Sequence, residues 1–473
     1  MAPGGRTMDR HASWVAEAVS GDVVGPDVDI TGPVVTDSRE AAPGSLYVAR
    51  RGGTTDGHAY TRAAADAGAV CAIVEHPVED AAITQVVVGD STRALGELAH
   101  AHLEDLRSHT DITVVAITGS VGKTTTKDLL AQVLATRGAT VAPRLSFNNE
   151  VGTPLTVLRA DASTRYLVLE MGASGPGHLT YLTGIAAPDI AVELRVGSAH
   201  LGGFGSREAV ARAKVELVDG ERPGATTVLN ADDDLVRAMA SHAKGPVLRF
   251  SVDPAVVADV HALDITTDEG DHASFTLSTP SGRAHVHLGL VGRHHVHNAL
   301  AAATVCHALG LGAAETAAAL DSAAALSPHR MAVSEAEVDG HRVTVVDDSY
   351  NANPDSMRAG LAALASLAHG RRTVAVLGEM LELGDASDDL HRGVGELAAD
   401  LGIDVVVTVG AAADPLLAPL EGRAVTERAT TAEEATELVR GLLRDGDVVL
   451  VKGSNGSGVW RTADALAGSG VPR

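Results

Sequence analysis

Aromatic side chains are scarce in this 473-residue chain, at 2% of the total. That scarcity argues against base stacking on aromatic platforms as a mode of nucleic-acid binding, and it leaves Ala, Val and Leu to fill the cores. Positive charge is also short. The formal net charge is −24, which argues against nucleic acid or an anionic membrane as partner. Only two cysteines occur, Cys71 and Cys306, each in Ala-rich apolar surroundings, so reduced core thiols are expected rather than a disulfide or metal pair. No apolar leader opens the chain and no apolar run reaches the ~18 residues of a membrane span, so a cytoplasmic protein is expected. Lysine is the most telling shortage, since Lys123, Lys127, Lys214, Lys244 and Lys452 are the whole supply. Surface solvation is not what lysine is used for here, and its presence in Gly-rich or His-containing segments therefore carries weight.

What is present is a globular α/β pattern. The apolar fraction of 45% falls in short Val/Ile/Leu runs between helical stretches, and the length suits two to four domains of ~150 residues. Residues 1–108 read as a small N-terminal α/β domain, with strand-like runs such as Val70-Cys-Ala-Ile-Val and Gln85-Val-Val-Val. Residues 109–327 repeat strand and helix on a larger scale and form a central, P-loop ATPase-like parallel-sheet domain. Within it Tyr166-Leu-Val-Leu and Ile190-Ala-Val-Glu-Leu are too continuous to be half-exposed, so central strands covered on both faces are predicted. Asp253 to Gly292 resembles an insertion of antiparallel strands. Ser327-Pro328 marks a boundary. Residues 328–473 then carry four strand runs ending in Asp, Gly or Lys-Gly, which predicts a Rossmann-like, doubly wound sheet with a ligand crevice at its carboxyl edge.

The chemistry starts at Thr113-Val-Val-Ala-Ile-Thr-Gly-Ser-Val-Gly-Lys-Thr-Thr-Thr-Lys127, an apolar strand that breaks into a loop and continues as a helix. Gly119 and Gly122 let backbone N–H groups around Ser120 turn toward phosphate oxygens, the helix start near Thr124 and Thr125 adds its dipole, and Lys123 adds a mobile charge. The Thr124 hydroxyl is left for magnesium. The usual P-loop has glycine six residues before the lysine; Ile117 stands there, so the match is to a shorter Thr-Gly-Ser-x-Gly-Lys-Thr form. Glu170 ends the strand Tyr166-Leu-Val-Leu, where a metal bridging terminal phosphates would need an acidic partner. His200 sits in a Gly-rich turn, with Lys214 on the Ala-rich helix that follows. Taken alone, each of these three is as readily a solvated surface group, and the scarcity of lysine tilts the balance. His294, His295 and His297 lack nearby cysteine and do not share one helical face, so zinc is not expected. Asn298 is a side-chain amide suited to the edge of an adenine. Asp347-Asp-Ser-Tyr-Asn-Ala-Asn-Pro-Asp-Ser-Met357 packs polar and turn-forming residues directly after a buried strand, a poor structural choice and a good binding loop.

Together with Thr36-Asp-Ser-Arg39, Asp56-Gly-His58, Asn148-Asn-Glu-Val-Gly-Thr-Pro-Leu-Thr156 and Leu377-Gly-Glu-Met-Leu-Glu-Leu-Gly384, these segments resemble the Mur ligase family over nearly the whole chain. The Asp347–Met357 string resembles the branch that adds a D-alanyl-D-alanine dipeptide. The resemblance implies a monomeric ATP- and Mg2+-dependent ligase joining D-Ala-D-Ala to UDP-MurNAc-tripeptide through an acyl phosphate. It also implies roles: Ser38 and Arg39 at the uridine diphosphate end, and Lys123 and Thr124 on ATP phosphates and Mg2+. Glu170 and His200 would be further metal ligands, and Lys214 would be carbamylated near a second Mg2+. Asn298 would meet adenine, and Arg330, Asp347, Asn351 and Asn353 would close over nucleotide and acceptor. Asn149, Glu150, Thr153 and Tyr350 would join the substrate-binding set, with Lys123, His200 and Lys214 catalytic.

Three positions depart from the family pattern. Arg195 stands where Asn usually precedes Val-Gly, Lys452-Gly-Ser-Asn-Gly-Ser-Gly458 lacks the usual Arg, and Arg50-Arg-Gly-Gly replaces a more apolar run. Two other readings therefore stay open: a divergent Mur-like ligase with a different acceptor or peptide, and a P-loop protein that uses its nucleotide only as a conformational switch.

Overall fold

The computed structural model describes residues 8–53, 55–197 and 206–468. Three sheets dominate it. The N-terminal sheet has five strands in the order Asp22–Val24, Thr84–Val87, Cys71–Val74, Leu46–Val48 and Val34–Val35; the first pairs antiparallel and the others are parallel. The turns that leave the parallel strands carry Asp37, Asp56 and Glu75, so polar side chains gather at one edge.

The central sheet has nine strands. Thr113–Thr118 lies between Tyr166–Glu170 and Ile190–Glu193, all parallel, with Ile117 opposite Glu170 and Thr118 opposite Glu193. Both faces are covered, as the continuous apolar runs predict. Val114, Ala116, Leu167 and Ala191 pack against the helix Ser91–His109, while Val115, Ile117, Val168 and Val192 pack against Lys123–Ala135 and His295–Ala308. The shortage of aromatics is met by Ala-rich helices that approach closely. Ala299, Ala301, Ala302 and Ala303 are all buried on His295–Ala308. The antiparallel strands Val260–Thr267, His272–Thr279 and Gly282–Val291 form no separate unit. Val260–Thr267 pairs parallel with Val247–Ser251, and the other two extend the same sheet.

The C-terminal sheet has six strands. The hairpin Ala332–Val338/His341–Asp348 forms one edge, and Val448–Lys452 returns from the end of the chain to lie between His341–Asp348 and Thr373–Gly378. That late strand is parallel to both neighbours, so Asp348 and Lys452 come side by side at the carboxyl edge. Among the described residues no helix is long and apolar enough to cross a membrane.

Candidate active site

The phosphate loop has the backbone its glycines predict. Gly119 and Gly122 lie at φ +153° and +84°, in the region costly for other residues. A Cβ on Gly119 would stand 2.8 Å from Leu194 Cβ, and one on Gly122 would run into the Asn298 side-chain oxygen. Ser120 N–H donates to Arg195 O at 2.8 Å, and Ser120 Oγ accepts from Gly197 N–H at 2.9 Å, tying the loop to the neighbouring strand end. The helix Lys123–Ala135 begins directly after Gly122.

A hydroxyl and carboxylate cluster sits at the start of that helix. Thr124 Oγ1 is 2.9 Å from Glu170 Oε2 and 2.8 Å from Ser146 Oγ, while Asn148 Nδ2 donates to Glu170 Oε1 at 2.7 Å. The Arg330 guanidinium comes within 3.2 Å of both Thr124 Oγ1 and Ser146 Oγ. A hard oxygen donor set facing a cationic group is the arrangement a magnesium ion would use, so the residues present fit that metal.

A cavity of about 410 Å3 opens in front of this cluster. Ser120, Gly122, Lys123, Thr124, Thr125, Glu170, Asn298, Arg330, Tyr350, Asn351 and Asn353 all line it. The expected phosphate, base and C-terminal groups therefore share one space. Asn353 reaches back to the loop, its Nδ2 lying 3.4 Å from Ser120 O, and Arg330 stacks 4.3 Å over the Tyr350 ring.

Lys123 turns its Nζ onto Gly119 O at 2.7 Å. Burial holds this amine below the ordinary lysine value, with Glu170 pulling the other way. Lys214 is 3% exposed at the end of the helix Arg207–Lys214. Burial, helped by the charge of Lys123, pushes it down to about 7. Near it Glu193 is fully buried, and neither carboxylate oxygen has a hydrogen-bond partner among the described residues. Burial pushes Glu193 up to about 8, against the pull of Lys214. The adjacent Thr118 Oγ1 is likewise buried and unpartnered among the described residues.

The remaining expected residues lie elsewhere. Asp347 does not line the cavity; its carboxylate takes His329 Nδ1 at 2.7 Å and the Ser349 hydroxyl. Its neighbour Asp348 lines the cavity instead and pairs with Lys452, whose Nζ is 2.6 Å from Asp348 Oδ2 and 3.0 Å from Asn351 O. Lys452 is only 1% exposed. Ser38 and Arg39 sit at the polar edge of the N-terminal sheet, where Arg39 pairs with Asp37 at 2.6 Å. Nearby, buried His58 bridges Asp56 Oδ1 (2.6 Å) and the Glu75 N–H (2.8 Å). Asn149 Oδ1 accepts from Gly152 N–H at 2.9 Å and so caps the helix Gly152–Val157. Glu150 approaches His178 at 3.4 Å, and the Thr153 hydroxyl is buried without a partner among the described residues. His200 lies outside the described residues. Sequence reasoning did not single out Ser146, His295 or Glu193. A carboxylate inside an otherwise apolar strand was the available signal for the last.

Fold and site together define a P-loop nucleotide-dependent enzyme built from three α/β sheets. Residues 33–103, 117–306 and 329–455 match in turn the families described as "Mur ligase family, catalytic domain", "Mur ligase middle domain" and "Mur ligase, glutamate ligase domain". The UDP-N-acetylmuramoyl-tripeptide--D-alanyl-D-alanine ligase of Mycobacterium tuberculosis is 43% identical, with 92% of each chain covered. The Escherichia coli protein of the same name is 36% identical over 84% of this chain and 85% of its own. Among solved structures, MurF from Acinetobacter baumannii superposes with a TM-score of 0.87 at 31% identity, covering 98% of this chain and all of that one. MurF from Thermotoga maritima in complex with ADP gives 0.78 at 29%, covering 92% and 97%. This chain belongs to the Mur ligase family.

Proposed function

We propose that the chain is an ATP-dependent ligase that joins D-alanyl-D-alanine to UDP-N-acetylmuramoyl-tripeptide. One observation carries the reading: Arg330 and Asn353, from the C-terminal part of the chain, touch Thr124 and Ser120 of the phosphate loop inside a single cavity. A nucleotide switch has no need of a second polar loop over its phosphates. Relatives bearing the ligase name, matched over most of both chains, support the choice of substrates.

In the reaction a carboxylate oxygen of the tripeptide attacks the γ-phosphorus of ATP and ADP leaves. The dipeptide amine then attacks the acyl carbon, inorganic phosphate leaves, and the nitrogen loses a proton. Three anionic groups must be brought together, so fixed donors do most of the work. The N–H groups from Ser120 to Thr125 and the Lys123 ammonium hold the phosphates, Arg330 adds charge, and Asn298 meets the base. Tyr350, Asn351 and Asn353 face the acceptor side. Magnesium, held by Thr124 and Glu170 with His200 and a carbamylated Lys214, supplies charge neutralisation at the phosphates. The depressed basicity of Lys214 supports that modification, because only a neutral amine adds carbon dioxide. Ser38, Arg39, Asn149, Glu150 and Thr153 serve the UDP-tripeptide.

Domain limits at 1–108, 109–327 and 328–473 agree with the three sheets. A monomer suffices because one chain supplies every group, and ATP and a UDP-sugar as substrates suit the cytoplasm. The test is incubation with ATP, Mg2+, UDP-MurNAc-tripeptide and D-Ala-D-Ala, followed by product mass. A mass increase of one dipeptide less water, with ATP hydrolysis requiring both co-substrates, is expected. Hydrolysis indifferent to both would overturn the reading.

A further inference from the structure

One wall of the nucleotide cavity has its hydrogen-bond polarity set from behind. Asn298 lies in the first turns of the helix His295–Ala308, is buried, and lines the cavity beside Gly122. Its Nδ2 is 3.0 Å from His295 Nδ1, so the amide N–H donates to the ring nitrogen. The amide oxygen is turned the other way, against Gly122, where it leaves no room for a Cβ. His295 is itself 5% exposed. It lines both the nucleotide cavity and a second, small one of about 10 Å3 bordered by Asp128, Ser327 and Arg330.

We infer that His295 fixes the Asn298 amide with its oxygen toward the nucleotide, and that this orientation selects adenine over guanine. Resting on the ligase reading only for the placement of the base at Asn298, the inference follows from hydrogen-bond inventory. A side-chain amide is nearly symmetric in shape, and its donor and acceptor ends exchange by a half-turn. A ring nitrogen that accepts from Nδ2 removes that freedom. The outward oxygen accepts from the 6-amino group of adenine and meets the 6-oxo group of guanine lone pair to lone pair. Burial, with His294 and Arg330 close by, holds His295 well below the ordinary imidazole range, so the ring stays neutral and keeps one acceptor nitrogen. His295 is thus a positioning residue that acts through Asn298.

The experiment is calorimetric titration of the full chain with ADP and with GDP, both with Mg2+, for wild type, His295→Ala, His295→Phe and His295→Asn. Wild type is expected to prefer ADP. The Phe variant fills the ring volume without an acceptor, and it and the Ala variant should lower the ADP:GDP affinity ratio about tenfold or more, the worth of one mismatched buried polar contact. Asn places an oxygen near the Nδ1 position and should restore the ratio. Equal weakening of both nucleotides in the Ala and Phe variants, or an unchanged ratio, overturns the inference and leaves the ligase reading intact. A wild type that binds no ADP overturns both.

Discussion

Arg330 Nη2 lies 3.2 Å from Thr124 Oγ1, 206 residues away in sequence. The contact links the segment after Ser327-Pro328 to the first turn of the P-loop helix, on the hydroxyl that also faces Glu170. Arg330 Nε remains buried and unpartnered among the described residues. A guanidinium with one hand on the metal-binding hydroxyl and one unsatisfied donor is poised to move when phosphate oxygens and a cation arrive. Nucleotide binding and the seating of the C-terminal sheet are coupled through this side chain.

Lys123→Ala is expected to lower the ligation rate more than a hundredfold, ~3 kcal/mol of transition-state stabilisation, with an unchanged thermal midpoint. The amine's one hydrogen bond, to Gly119 O, joins residues of the same loop, so the fold does not depend on it. Wild-type turnover in this variant would remove the loop from the mechanism.

Asn353 has two tasks that separate by substitution. Its Oδ1 caps the helix Pro354–Ala368 by accepting from Ser356 N–H, while its Nδ2 faces Ser120 O. Asn353→Ala loses both and should cost ~1 kcal/mol of stability. Asn353→Ser keeps the cap, so it should retain stability and ATP affinity while amide formation falls. Ligation at the wild-type rate in the Ser variant would refute a role for this amide in closing the site over the acceptor.

Lys214→Ala should be partly rescued by a short-chain carboxylic acid, and Lys214→Arg should stay inactive, since the proposed metal contact needs an oxygen donor. An active Arg variant would contradict carbamylation.

Lys452 and Asp348 are predicted to matter as a pair. Lys452→Met strands the Asp348 carboxylate at the loop base and should destabilise the protein by about 3–5 kcal/mol, whereas Lys452→Met combined with Asp348→Leu should recover most of that loss. Denaturant titration of the three variants gives the coupling, and an additive double mutant would show that the two side chains do not interact energetically.

Glu193→Gln gives a pH-dependent stability difference of defined sign. In the folded chain the carboxyl is raised from 4.5 to about 8, so the native state keeps a proton that the unfolded chain releases. Stability is therefore full below about pH 4.5 and is lost as pH rises toward 8. In carbon-dioxide-free buffer, wild type and variant should melt together at pH 5, and the variant should melt higher at pH 9. A constant offset across that range would exclude a buried, proton-dependent Glu193.

The phosphate loop was fully legible in the sequence because a P-loop is a local object, in which contiguous residues supply backbone angles, dipole and charge. The adjacent aspartates show where local reading stops. Asp347 and Asp348 are equivalent in composition, yet successive strand residues face opposite sides. The pairing of His341–Asp348 with the late strand Val448–Lys452 decides that Asp348 faces Lys452 and the cavity while Asp347 meets His329. That register spans about a hundred residues and leaves no local trace. The edge strand Ala332–Val338 went unread for a related reason, since its residues are mostly exposed and show no apolar face. Asn298 was recognisable as a base contact, but its fixed orientation depends on His295, one turn before it on a helix where the imidazoles suggest metal before they suggest a brace.

The burial of most of the lysines makes the chain an unusually clean target for amine chemistry. Lys127, Lys214 and Lys452 are at most 3% exposed, and Lys244 is the one fully exposed lysine, although its Nζ is engaged by backbone carbonyls. An acylating reagent at moderate excess therefore has two amines to find, Lys123 in the cavity and Lys244 outside it. Their labelling ratio, read from a peptide digest, reports nucleotide occupancy directly, with Lys244 as the internal standard for reagent strength. The chain thus carries its own binding assay without an added fluorophore.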